Sequence, residues 1–147
     1  MTLKEKLLAD MKEALRAKDS LRLNTIRSVI SAIKNQEIDL RKDIEEEEIL
    51  TLVTREVKKR KEASALFKEG GRTDLMEKED QEMVVLQLYL PEQVSEEVLR
   101  KRIQEVIAET GAEGMKDFGK IMKVLIPEFK DKADNALIKD LADEFLN

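Results

Sequence analysis

Residues 83–91 read MVVLQLYLP, and the way this run is taken decides the fold class. By composition it would suit a β-strand. A lone strand leaves its backbone N–H and C=O groups unpaired, however, and no second stretch of the chain offers it a partner. The run therefore reads as the apolar C-terminal half of a helix from about Asp74 to Leu90, carrying Met83, Val84, Leu86, Leu88, Tyr89 and Leu90. Pro91 has no N–H to continue that helix, so it ends the helix and marks a boundary.

Upstream, the apolar residues recur at helical spacing. Thr2 with Glu5 forms a capping box ahead of Leu3, Leu7, Leu8, Met11 and Leu15. A break at Lys18–Ser20 precedes a second helix to about Asn35, with Leu23, Ile26, Ile30 and Ile33 on one face. An uncharged stripe of Asn24, Ser28, Ser31 and Asn35 lies opposite, suited either to a ligand or to polar packing. Asp43 with Glu46 reads as a second capping box, opening a third helix to about Glu69. Its seam is Ile49, Leu50, Val53, Val57 and Phe67, and Arg60 and Ser64 fall on the same seam. Arg60 is then either a snorkelling stem or part of a buried ion pair. Gly70–Gly71 closes this helix with a left-handed cap.

Downstream of Pro91, Ser95 caps a fifth helix with Leu99, Ile103, Val106 and Ile107 inward, closed by Gly111. Phe118 to Ile126 forms a short helix ended by Pro127. Asp134 caps the last helix, with Leu137, Ile138, Leu141 and Phe145 on its seam. The expected fold is all-α: an N-terminal bundle of about four helices over residues 1–91, then a small three-helix subdomain over residues 92–147.

Composition narrows the chemistry. The chain has 147 residues, 40% charged and 41% hydrophobic, which suits helices with separated polar and apolar faces. Aromatics make up only 3%, which argues against base stacking on aromatic platforms. A net charge of −5 argues against tight non-specific nucleic-acid binding, so such contact must come from local basic patches. With neither cysteine nor histidine, the chain has no thiolate nucleophile, soft-ligand zinc site or serine–histidine triad. The acidic run Glu45–Glu48 points around a helix rather than converging on a metal, and suits a helix N-terminus. No phosphate loop or dinucleotide fingerprint occurs, and no cofactor is expected. No stretch has the length of a membrane span or a signal peptide, so a cytoplasmic location is expected. The run Arg55, Lys58, Lys59, Arg60 and Lys61 is opposed only by Glu56; it reads as a solvated helix or as a nucleic-acid contact.

One segment stands apart. Residues 111–135, GAEGMKDFGKIMKVLIPEFKDKADN, hold Gly111, Gly114 and Gly119 among Lys116, Lys120, Lys123, Lys130 and Lys132. Glycine lets backbone N–H groups approach a ligand, and neighbouring lysines suit an anionic one. A helix cap with ordinary solvated lysines accounts for the same residues.

Within it the pattern G-x4-K-D-x-G-K-x-M stands as Gly111, Lys116, Asp117, Gly119, Lys120 and Met122, followed by Lys132-Ala133-Asp134. Residues 90–146 thereby resemble the tail domain of the B subunit of the tRNA-dependent amidotransferase. With LRLNTIRSVISAIKNQEID upstream, the whole chain resembles a stand-alone member of the GatB/YqeY family. The resemblance implies an all-helical body with a three-helix tail, and tRNA binding without catalysis. It carries RNA contact onto Gly111, Lys116, Gly119, Lys120 and Lys132, and Lys123 joins them from the same basic segment. Family tails commonly have glycine where Asp131 and Asn135 stand here, which weakens the carry-over for the 130–135 loop. The expected partners are tRNA and components of the aminoacyl-tRNA synthetase or amidotransferase machinery. The alternative is a helical module docking on such enzymes. Glutamine-dependent amide formation lacks the nucleotide site and nucleophile it needs.

Overall fold

A computed structural model describes all residues 1–147 and is helical throughout. The order is α1 (Leu3–Arg16), α2 (Ser20–Leu40), α3 (Glu46–Glu69), α4 (Thr73–Gln87), α5 (Glu96–Thr110), a single 3-10 turn (Met115–Asp117), α6 (Phe118–Glu128) and α7 (Asn135–Leu146). The chain divides into two compact units, Met1–Leu90 and Pro91–Asn147.

In the first unit α1 packs on α2, α3 pairs with α4, and α2 lies against both α3 and α4. Its core joins Leu7, Ile26, Val29, Ile33, Ile44, Ile49, Leu52, Val53, Leu86 and Tyr89. The decisive run is helical to Gln87 and then closes in a turn, with Tyr89 N donating to Leu86 O at 3.1 Å. That turn drives Tyr89 into the core while Leu88 stays 73% exposed. The Tyr89 hydroxyl donates to Asp10 Oδ2 at 2.5 Å, tying the end of the unit to α1.

Several helix ends differ from the sequence reading. α2 runs five residues past Asn35, since nothing from Gln36 to Leu40 breaks a helix, and stops only where Arg41 turns left-handed at φ 56°. α1 stops the same way at Lys18, also at φ 56°. In both cases an N–H beyond the left-handed residue closes onto the helix, Asp19 N to Ala14 O at 3.0 Å and Lys42 N to Glu37 O at 3.2 Å. α3 begins at Glu46 with Glu45 as its uncapped N-cap, so Asp43 and Glu46 form no capping box. Glu46 Oε1 instead accepts from Leu3 N at 2.5 Å, bracing the start of α1. Pro127 lies inside the last turn of α6 rather than ending it, because one forfeited N–H there still leaves Phe129 N bonded to Leu125 O at 3.1 Å.

Arg60 is a buried ion-pair member, with only 11% of its side chain exposed. Its guanidinium donates to Glu56 Oε2 at 2.9 Å and to Ser28 Oγ of α2 at 3.3 Å. Its Nε lies 3.5 Å from Glu82 Oε2 of α4, an ion-pair separation without hydrogen-bond geometry. One helical turn on, the Ser64 hydroxyl donates to Asp80 at 2.5 Å. Beyond Val53, Ser64 is the one buried residue of α3, and the distal half of the α3–α4 pair combines these polar contacts with half-buried apolar side chains such as Val57 and Phe67. Ser28 thus serves helix packing, the plainer of the two uses open to the polar stripe.

In the second unit α5, α6 and α7 pack mutually around Leu99, Ile103, Val106, Ile121, Leu125, Phe129, Ile138 and Leu141. Caps agree with local chemistry: Ser95 Oγ accepts from Val98 N at 3.3 Å, and Asp134 Oδ1 from Ala136 N at 2.9 Å.

Candidate nucleic-acid interface

The glycine–lysine segment forms the connection from α5 to α6. Gly111 ends α5 at φ 68°, the left-handed geometry of a helix stop. Gly114 sits at φ 71°, ψ −173°, a region open in practice only to glycine. Between them Glu113 N donates to Asp117 Oδ2 at 2.8 Å. These two glycines answer to the backbone.

Gly119 does not. It is helical, exposed, and has open space where a Cβ would stand. Glycine inside a helix costs roughly 0.5–1 kcal/mol relative to alanine, and nothing in the packing here requires it. No side chain caps the N-terminus of α6, because the Asp117 carboxylate is turned back to Glu113. The 3-10 turn runs directly into α6, Asp117 N donating to Gly114 O at 3.1 Å and Phe118 N to Met115 O, so what faces solvent here is the exposed Gly119 with Lys116, Lys120 and Lys123 around a positively polarised helix start.

The six expected contact residues do not converge. Gly111, Lys116, Gly119 and Lys120 gather at the start of α6, Lys123 follows one turn on, and Lys132 lies past its far end. Eleven residues separate those ends, about 16 Å at the rise of an α-helix. Lys120 is already engaged, its Nζ donating to Thr110 O at 3.0 Å at the end of α5. Lys116 and Glu113 stand 4.0 Å apart with side chains 73% and 83% exposed, a pair that contributes little. Lys123 is exposed on α6.

The 130–133 loop is fixed in place by Gln93 Nε2 donating to Asp131 O at 2.9 Å and Val94 N donating to Lys132 O at 2.9 Å. Asp131 adopts φ 62°, a left-handed backbone shape that favours glycine. Asn135 opens α7 in a helical conformation and makes no use of asparagine's left-handed tolerance.

Carboxylates border the patch. Arg102 of α5 grips Glu128 of α6 with two hydrogen bonds, 2.8 and 2.9 Å, and also meets Glu105 and Glu109 at 3.3 Å. The Glu128 hydrogen bond, followed by the charges of Glu128 and Glu109, raises the Arg102 pKa against its partial desolvation. Arg102 in turn lowers that of Glu128. Residues 91–147 hold nine Lys/Arg against thirteen Asp/Glu, net −4, so any anion contact is local to the α6 start. Sequence reasoning left Gly114 and Asp117 out of the site, although they shape its loop; the spacing of Gly114 after Gly111 was the available signal. Every aromatic side chain is buried or half-buried, and no helix is long and apolar enough to cross a membrane.

Fold and surface together define an all-helical protein whose most distinctive surface is a glycine-opened, lysine-bearing helix start. The family model described as Yqey-like protein matches residues 4–146, and the chain belongs to that family. It is similar to proteins named "Altered inheritance of mitochondria protein 41, mitochondrial". The one from Vanderwaltozyma polyspora is 33% identical over 144 residues, 90% of this chain and 76% of the relative. The one from Kluyveromyces lactis is 41% identical over 102 residues, 67% of this chain and 55% of the relative. The one from Lachancea thermotolerans is 40% identical over 85 residues, 57% of this chain and 46% of the relative. The chain thus spans about half the length of the latter two. The cytoplasmic expectation is corrected by these names, which are mitochondrial. It had rested on the lack of a stretch of membrane-span or signal-peptide length, which bears on membrane insertion and secretion rather than on the compartment.

Proposed function

We propose that this chain is a tRNA-binding accessory module, related to the tail of the tRNA-dependent amidotransferase and without chemistry of its own. The observation that carries this reading is the uncapped start of α6. Gly119 is a helical glycine that packing does not require, and Lys116 and Lys123 are exposed beside it. Such a start presents positive charge and a close backbone approach at Gly119 to a phosphate. The sparse, covered aromatics favour backbone contact over base stacking. Aminoacyl-tRNA synthetase or amidotransferase components are the partners such a module would serve.

The test is binding of the full chain to unfractionated tRNA across a salt series. Affinity should fall steeply with salt as phosphate contacts release counterions. Lys116→Gln with Lys123→Gln should weaken binding and leave helicity unchanged. Binding that is absent at low salt, or insensitive to salt, would refute the reading.

A second reading, docking on a partner enzyme, is favoured by Val84 and Leu88. These lie one turn apart at the end of α4 and are 61% and 73% exposed. Loss of partner recovery in Val84→Ser/Leu88→Ser, with tRNA affinity intact, would separate the two.

A further inference from the structure

The basic run of α3 is sorted by the fold in a way its sequence conceals. Glu56, the acid within that run, is turned inward, its side chain only 14% exposed and bound by buried Arg60 at 2.9 Å. One base and one acid are thereby withdrawn from the surface. Arg55, Lys58, Lys59 and Lys61 remain exposed, and Glu62 is the acid left among them. Arg55, Lys58 and Lys61, each three residues on from the last, line one side of the helix with Glu62 in less than two turns, about 10 Å. Lys59 also reaches Glu56 at 3.4 Å, yet its side chain stays 72% exposed.

The geometry points to this outer face of α3 as a second phosphate-contacting surface, in the first unit, for the backbone of a structured RNA. The inference rests on RNA binding by this chain but not on the α6 lysines. An RNA fits better than the other polyanions. Protein interfaces centre on an apolar or aromatic anchor, whereas the outward residues from Thr51 to Glu62 are threonines and charges, with a single exposed leucine, Leu66, one turn beyond them. A membrane-bound helix sets its basic residues opposite an apolar face free to enter lipid, whereas the opposite face of α3 carries Ile49, Leu52 and Val53 in the core. Cations three residues apart along a helix suit a line of phosphates, each neutralised separately.

The experiment measures tRNA affinity of the full chain by fluorescence polarisation at several salt concentrations. Each phosphate contact contributes a slope of roughly 0.7–0.9 in log affinity against log salt. Arg55→Gln/Lys58→Gln/Lys61→Gln should therefore make the slope shallower by about 2 and lower affinity roughly 100-fold near 0.1 M salt, with unchanged circular dichroism. Glu62→Gln should tighten binding several-fold, a gain that misfolding does not imitate. If the α3 triple variant keeps wild-type affinity and slope while Lys116→Gln/Lys123→Gln weakens binding, this inference fails and the tail reading stands. If the wild-type chain binds no tRNA, both fail. If the α3 variant loses binding to phosphatidylserine vesicles and keeps its tRNA affinity, the band serves a membrane and the inference is overturned.

Discussion

Replacing Arg60 with alanine should unfold the first unit far more readily than any surface substitution. The guanidinium is the shared cationic partner of Glu56 and Glu82, whose side chains are only 14% and 16% exposed. Without it two carboxylates remain inside the α2–α3–α4 junction, and Ser28 loses its donor. Breaking a buried pair costs about 3–5 kcal/mol, and slight solvent access at the rim puts this site near 3. Tyr89 is the only tyrosine, there is no tryptophan, and Tyr89 lies in the core of this unit. Its fluorescence therefore reports the unfolding of the first unit by itself. With a urea dependence of roughly 1.5 kcal/mol per M, the midpoint should fall by about 2 M. The companion variant Glu56→Gln/Arg60→Met/Glu82→Gln removes every charge of the cluster and should recover most of that loss. A midpoint shift below about 0.5 M for Arg60→Ala, well under 1 kcal/mol on the same dependence, would show that the cluster does not hold the α3–α4 pair.

Tyr89 should titrate late. Burial, then the hydrogen bond to Asp10 and its charge, raise the phenol above its ordinary 10.0. Its contribution to stability is full below the unfolded pKa and is lost as pH rises beyond that toward the folded value. Absorbance at 295 nm should give a higher midpoint for the native chain than for the chain in guanidinium, and equal midpoints would contradict the burial. Arg41→Gly should stabilise the first unit by about 0.5–1 kcal/mol in thermal melts, because the left-handed φ of 56° at this helix stop favours glycine over arginine. A destabilised variant would mean that the arginine side chain holds the turn.

Existence and type of all seven α-helices were legible because each carries an apolar stripe at helical spacing and most carry a side-chain cap. Their ends were less so. Lys18, Arg41 and Asp131 take a backbone shape that a reader looks for at glycine, and only the closing hydrogen bonds of the finished helix make it tolerable. Asp43 matched a capping pattern, but Glu46 found a better use against Leu3 of another helix, a contact 43 residues away in sequence. The 3-10 turn before α6 had no periodicity to announce it, being three residues long.

The candidate surfaces divide in the same manner. Glycine and lysine positions were plain in the sequence, but which lysines remain available depends on packing. Lys120 is drawn to the carbonyl end of α5, and Arg102 is absorbed by a glutamate 26 residues on. On α3 packing works the other way. By burying Glu56 with Arg60 it leaves the outer face more uniformly basic than its one-dimensional charge count suggests. A net −5 chain can thus carry local positive surface without a positive total, since repulsion from charges farther than roughly 10 Å is screened at 0.1 M salt, whereas a direct phosphate contact acts at close range and releases a counterion. The prediction specific to this protein is therefore a pronounced salt slope despite an acidic pI.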